Sequence, residues 1–120
     1  MEDGRAVDRQ QLPDRAGVSL SVVTLAELTA GVLAAADTQT RTRRMATLDG
    51  VADIEVLPID EPAAVAWARL RVFLAENGRR VNVNDLWIAA TAVSRGIPVV
   101  TQDDDFAPLE GVTGLQVIRV

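Results

Sequence analysis

The chain has 120 residues, 48% of them hydrophobic and 24% charged, which fits one globular domain, 1-120, and argues against disorder. Its formal net charge is −5, and it contains no His, Cys, Lys or Tyr. Imidazole bases, thiol nucleophiles, Schiff-base lysines, phenolic acids, disulfides and zinc-thiolate centres are all excluded, which leaves carboxylates as the chemically active groups.

Residues 1–17 are polar, mix Asp and Arg, and are broken by Pro13. They read as the tail of a helix followed by a loop. Residues 18–23, Val-Ser-Leu-Ser-Val-Val, predict a short strand. A helix is expected over residues 25–36, with Asp37 as the cap of the next, over 38–48. That helix is Arg-rich on one side, offers Met45 and Leu48 to a core, and meets a natural stop at Gly50.

Residues 54–59 predict a strand whose Pro58 places it near an edge or a strand end. Asp60-Glu61-Pro62 combines a capping carboxylate, an acid in the first turn and an early proline, a strong helix start. Its expected inward face is Val65, Trp67, Leu70, Phe73 and Leu74, and Asn77-Gly78 ends it. A further helix starts at Asn84 or Asp85 and runs to Arg95, with Gly96 as its stop. Residues 97–101 and 115–120 are the last two strands. Strands alternating with helices imply right-handed crossovers and a parallel, three-layer α/β sheet. No apolar run approaches the roughly 18 residues of a membrane span and no signal peptide is apparent, so a cytoplasmic protein is expected.

Glu27, Asp85 and the triplet Asp103-Asp104-Asp105 stand after strands or at helix starts. In open α/β sheets ligands bind beyond the carboxyl ends of the strands. Oxygen ligands there suit Mg²⁺ or Mn²⁺, and the matching chemistry is metal-assisted phosphodiester hydrolysis. Each acid also has a purely structural explanation. Thr24-x-x-Glu27 matches a capping box, Asp85 complements a helix dipole, and the triplet suits a solvated turn. Trp67 and Trp87 read as core residues. Arg43, Arg44, Arg79 and Arg80 read as solvated faces or as phosphate contacts, and Thr101 as a hydrogen-bond donor to a carboxylate or phosphate. All twelve basic residues are Arg, and the acidic balance weighs against unassisted duplex binding. Glycine-loop nucleotide motifs are absent, and aspartyl-phosphate chemistry lacks the lysine it needs.

Three segments carry a resemblance. They are Val22-Val23-Thr24-Leu25-Ala26-Glu27-Leu28, Val83-Asn84-Asp85-Leu86-Trp87-Ile88-Ala89-Ala90, and Val99-Val100-Thr101-Gln102-Asp103-Asp104-Asp105-Phe106. In this order and spacing, with Leu57-Pro58-Ile59-Asp60 between them, the chain resembles the PIN-domain ribonucleases, specifically the VapC-type toxins of bacterial toxin–antitoxin pairs. The resemblance covers residue 17 to the end.

It implies a PIN-like α/β/α fold, one or two Mg²⁺ or Mn²⁺ ions, and cleavage of RNA. Glu27, Asp85 and Asp103 are then the catalytic and metal-binding acids, with Asp105 an auxiliary ligand. A homodimer and an inhibitory VapB-like antitoxin are the implied partners. One departure stands out. The family opens on a strand ending in Asp-Thr-Ser or Asp-Ser-Ser, and nothing before Val18 matches it. The central first strand is therefore expected to be missing, with reduced activity. The alternative is a catalytically inactive PIN domain that binds an antitoxin or dimerises.

Overall fold

In the computed structural model, which describes residues 19–120, Ser21 both ends the first strand and caps the first helix. The chain divides into two compact units, Met1–Leu57 and Pro58–Val120. The expected helix remnant over 1–17 and the expected loss of a first strand fall outside the described residues.

In the first unit β1 spans Ser19–Ser21 and α1 spans Val22–Leu33. The Ser21 hydroxyl accepts a hydrogen bond from the Val23 N–H at 3.1 Å. That cap turns Val22 and Val23 into helix, so the strand expected over 18–23 is shorter and the helix starts three residues earlier. It also removes the capping-box explanation of Glu27, because Thr24 and Glu27 both lie inside α1 rather than at its boundary.

Helix α2, Thr38–Gly50, begins at Asp37 as expected, whose carboxylate accepts from the Thr40 N–H at 2.7 Å and the Thr40 hydroxyl at 3.1 Å. No residue of α2 is buried; Met45, expected to face a core, is exposed, and Leu48 is half-buried. Arg44 Nη1 donates to the Gly31 carbonyl at 2.7 Å, bringing a cation to the last turn of α1, where helix carbonyls lack internal partners. Strand β2, Glu55–Leu57, pairs in parallel with β1 in the register Ser19↔Glu55 to Ser21↔Leu57. Pro58 follows directly, where its missing N–H costs the ladder nothing. Among the described residues of this unit, Leu20, Val32, Ala35, Val51 and Leu57 are the buried apolar ones.

In the second unit α3 spans Glu61–Glu76 and α4 spans Val83–Arg95. Asp60 caps α3 by accepting from the Ala63 N–H at 3.1 Å, and its Oδ2 meets Arg95 Nη2 at 3.2 Å. Since Arg95 ends α4, this ion pair sets the start of α3 beside the end of α4, an antiparallel helical hairpin. Ala63, Ala66, Leu70 and Leu74 form the buried stripe of α3; Leu86, Ala89, Ala90 and Ala92 are buried on α4. The alanines set the phase of the interface and allow close approach. Val65, expected inward, lies off that stripe and is 50% exposed. Trp67 stacks on Trp87 with centroids 5.1 Å apart, and both are half-buried against this core. The Arg71 guanidinium lies 5.4 Å from the Trp67 ring centroid.

Gly96 closes α4 at φ 67°, a left-handed conformation that costs glycine little. Strands β3, Val99–Thr101, and β4, Val117–Arg119, pair in parallel in the register Val99↔Val117 to Thr101↔Arg119. Between them a 3₁₀ turn, Ala107–Leu109, carries Phe106 and Leu109 into the core. The expected parallel pairing and helix–strand alternation are present, and the described strands form two ladders, β1-β2 and β3-β4.

Candidate functional site

Asp85 sits in the first turn of α4 and is only 6% exposed. Helix α4 starts at Val83, one or two residues before the expected start at Asn84 or Asp85, because Asn82 is its cap: the Asn82 side chain accepts from the Asn84 N–H at 2.8 Å. Asp85 therefore lies at the third helical position, where the unpaired amides and the positive end of the helix dipole favour an ionised carboxylate. Asn82-x-x-Asp85 was the signal for this start, a cap residue followed by an acid three positions on.

The second acidic element follows β3. The Thr101 hydroxyl donates to Asp103 Oδ1 at 3.2 Å and accepts from the Asp103 N–H at 3.3 Å. Asp103 Oδ1 also accepts from the Asp105 N–H at 2.9 Å. Thr101, Asp103 and Asp105 are thus brought together in one turn by bonds to the Thr101 hydroxyl and the Asp103 carboxylate. Asp104 pairs instead with Arg119 of β4. That pair relieves repulsion among three adjacent acids, and no local pattern announces it, since the partners are on different strands' ends.

Glu27 is a half-buried residue of α1, in the first unit, while Asp85 and Asp103 belong to the second. Among the described residues no group of three or more acids is gathered to hold an ion. The acids Glu2, Asp3, Asp8 and Asp14 precede the described residues.

The arginines expected at the substrate divide into two kinds. Arg44 donates to Gly31, as above, and Arg79 Nη1 donates to the carbonyls of Pro108 at 3.4 Å and Glu110 at 3.1 Å. Arg43 and Arg80 have exposed side chains. Away from these acids, the Thr40 backbone N–H, then its hydroxyl, hold the Asp37 carboxyl below its ordinary value of 3.8. No helix of the described residues is long and apolar enough to cross a membrane.

Comparison with known proteins places these residues in a family context. The model of the PIN domain matches residues 2–111. Ribonuclease VapC5 of Mycobacterium tuberculosis is 60% identical over 119 residues, covering 99% of this chain and 87% of that protein. Ribonuclease VapC4 of the same organism is 47% identical over 103 residues, covering 83% and 79% respectively. Among solved structures, a member of the VapBC family of toxin–antitoxin systems, VapBC-5 from Mycobacterium tuberculosis, superposes with a TM-score of 0.87 at 61% identity. It covers 94% of this chain and 88% of that one.

Proposed function

The chain belongs to the PIN-domain family, and from that membership we propose that it is the ribonuclease toxin of a VapBC-type toxin–antitoxin pair. The observation that carries this reading is the 60% identity to a VapC ribonuclease across 119 residues. It is supported by an inventory with no His, Cys, Lys or Tyr, in which carboxylates are the side chains best suited to acid–base work and to binding a hard cation.

The proposed site comprises Glu27, Asp85 and Asp103 as catalytic and metal-binding acids, with Asp105 as an auxiliary ligand. The donor set fits Mg²⁺ or Mn²⁺. It is made of oxygens alone, Asp85 is held at a helix N-terminus away from bulk water, and Asp103 is oriented before any ligand arrives. When bound, such an ion polarises a phosphodiester and makes water a stronger nucleophile at neutral pH.

The remaining roles fall to the chain itself. Asp85 and Asp103 would hold the cation and so orient the scissile phosphate. Glu27 would hold a bound water or a second cation and help deprotonate the nucleophile. Thr101 keeps the Asp103 carboxylate in one orientation. Arg43 and Arg80 contact substrate phosphates, ahead of Arg44 and Arg79, whose guanidinium groups already bind backbone carbonyls.

The partner is a VapB-like antitoxin, and the toxin acts as a homodimer in the cytoplasm, where its RNA substrate is. A net charge of −5 favours an antitoxin segment rich in Arg or Lys, with association that weakens as salt rises. The test is RNA cleavage by the purified chain with Mn²⁺, with chelator, and with the antitoxin encoded beside it. Cleavage that needs the ion and is blocked by the antitoxin is expected. Antitoxin binding without any cleavage would leave a binding module in place of an enzyme.

A further inference from the structure

The segment from Asp103 to Glu110 is a relay of short-range hydrogen bonds. The Asp105 N–H donates to Asp103 Oδ1 at 2.9 Å, Ala107 N to Asp104 O at 3.0 Å, Leu109 N to Phe106 O at 3.0 Å, and Glu110 N to Ala107 O at 3.0 Å. The near end carries the acid proposed above as a ligand. The far end is the 3₁₀ turn, whose last carbonyls have no partner within it. Arg79 supplies the partner. Its Nη1 donates to Pro108 O and Glu110 O, and its Cζ lies 5.8 Å from the ring centroid of Phe73 on α3.

Arg79 is itself exposed, but its planar guanidinium is held by two carbonyls and an aromatic ring where a simple ion pair has one contact. The other charged link on this loop, Arg119 to Asp104, is an exposed pair, a class that contributes little. We propose that Arg79 is a positioning residue for the Asp103 carboxylate: it anchors the far end of the acidic turn to α3 and so fixes the near end. The proposal rests on the nuclease reading only for the purpose of the turn, since the anchoring itself is independent of any ligand.

The test uses the full chain with Arg79→Gln, Arg79→Lys and, as a control, Arg95→Gln, an arginine that ends α4 and pairs with Asp60 at the far end of α3. Amide hydrogen exchange and Mn²⁺ titration are read in parallel. In Arg79→Gln, exchange at Asp105 and Glu110 should quicken by about fivefold, the effect of losing one net hydrogen bond. Exchange at Ala90 and Ala92 should not change, and the Kd for Mn²⁺ should rise by a similar factor. Arg79→Lys should recover part of both effects, and Arg95→Gln should show neither. Unchanged exchange at Asp105 in Arg79→Gln, or an equal change in Arg95→Gln, overturns the proposal. Faster exchange in a chain whose wild type takes up no Mn²⁺ supports the anchoring and overturns the metal site instead.

Discussion

The Thr101 hydroxyl and the Asp103 carboxylate form a closed pair, the hydroxyl donating to Oδ1 at 3.2 Å and accepting from the Asp103 N–H at 3.3 Å. Thr101 is the last residue of β3 and only 8% exposed, so the strand end itself aims the acid. Thr101→Val keeps the shape and β-branching but removes both bonds. Stability should fall by about 1–3 kcal/mol, since the Asp103 N–H loses its acceptor as the carboxylate loses a donor. Urea denaturation measures that loss, and Mn²⁺ titration of the same variant should show weaker binding.

Asp60 has two duties, capping α3 and pairing with Arg95 at 3.2 Å. Asp60→Ala removes both and should cost about 0.5–2 kcal/mol, most of it from the cap. Arg95→Gln removes only the pair, which is a third exposed on the Arg side, and should cost about 0–1 kcal/mol. Chemical denaturation of the two variants side by side checks the order. Equal losses would place the stability in the ion pair instead.

The Asp37 cap predicts a pH dependence. Bonds from the Thr40 N–H and hydroxyl hold this carboxyl below 3.8, so the folded chain resists its protonation more than the unfolded chain does. Its contribution is present above the unfolded value and is lost as pH falls through the lower folded value. Asp37→Asn keeps an acceptor for the Thr40 N–H but cannot titrate. Helicity of α2, followed by amide exchange from pH 6 to pH 2, should lose part of its acid dependence in Asp37→Asn. An identical acid profile in the two proteins would show that the cap is not coupled to folding.

Much of this was legible locally. Asp60-Glu61-Pro62 started α3, Gly96 stopped α4, and Asp85 stood in the first turn of α4, because caps, prolines and dipole charges act within a turn of the chain. Valine-rich segments gave parallel strands. Ser21 was missed as a cap because Val22 and Val23 read as strand, and their β-propensity lost to a hydroxyl accepting the Val23 N–H. Val65 was misplaced because the interface of α3 with α4 takes its phase from Ala63 and Ala66, which carry little hydrophobic signal of their own. The acidic motifs were visible, but the bonds that support them were not. Arg79 reaches Glu110 across 31 positions and Arg119 reaches Asp104 across 15, separations that no local pattern encodes.

The central claim is that Asp85 and Asp103 are working carboxylates of a metal-dependent ribonuclease. Asp85→Asn and Asp103→Asn preserve size and most hydrogen bonding while removing the charge that a cation needs. The deciding measurement is the rate of Mn²⁺-dependent RNA cleavage by each variant, compared with wild type at matched folded concentration. Each substitution should reduce the rate by about tenfold to hundredfold or more, with the fold retained by circular dichroism. Two folded variants that cleave at the wild-type rate would contradict the account and place the chemistry elsewhere in the chain.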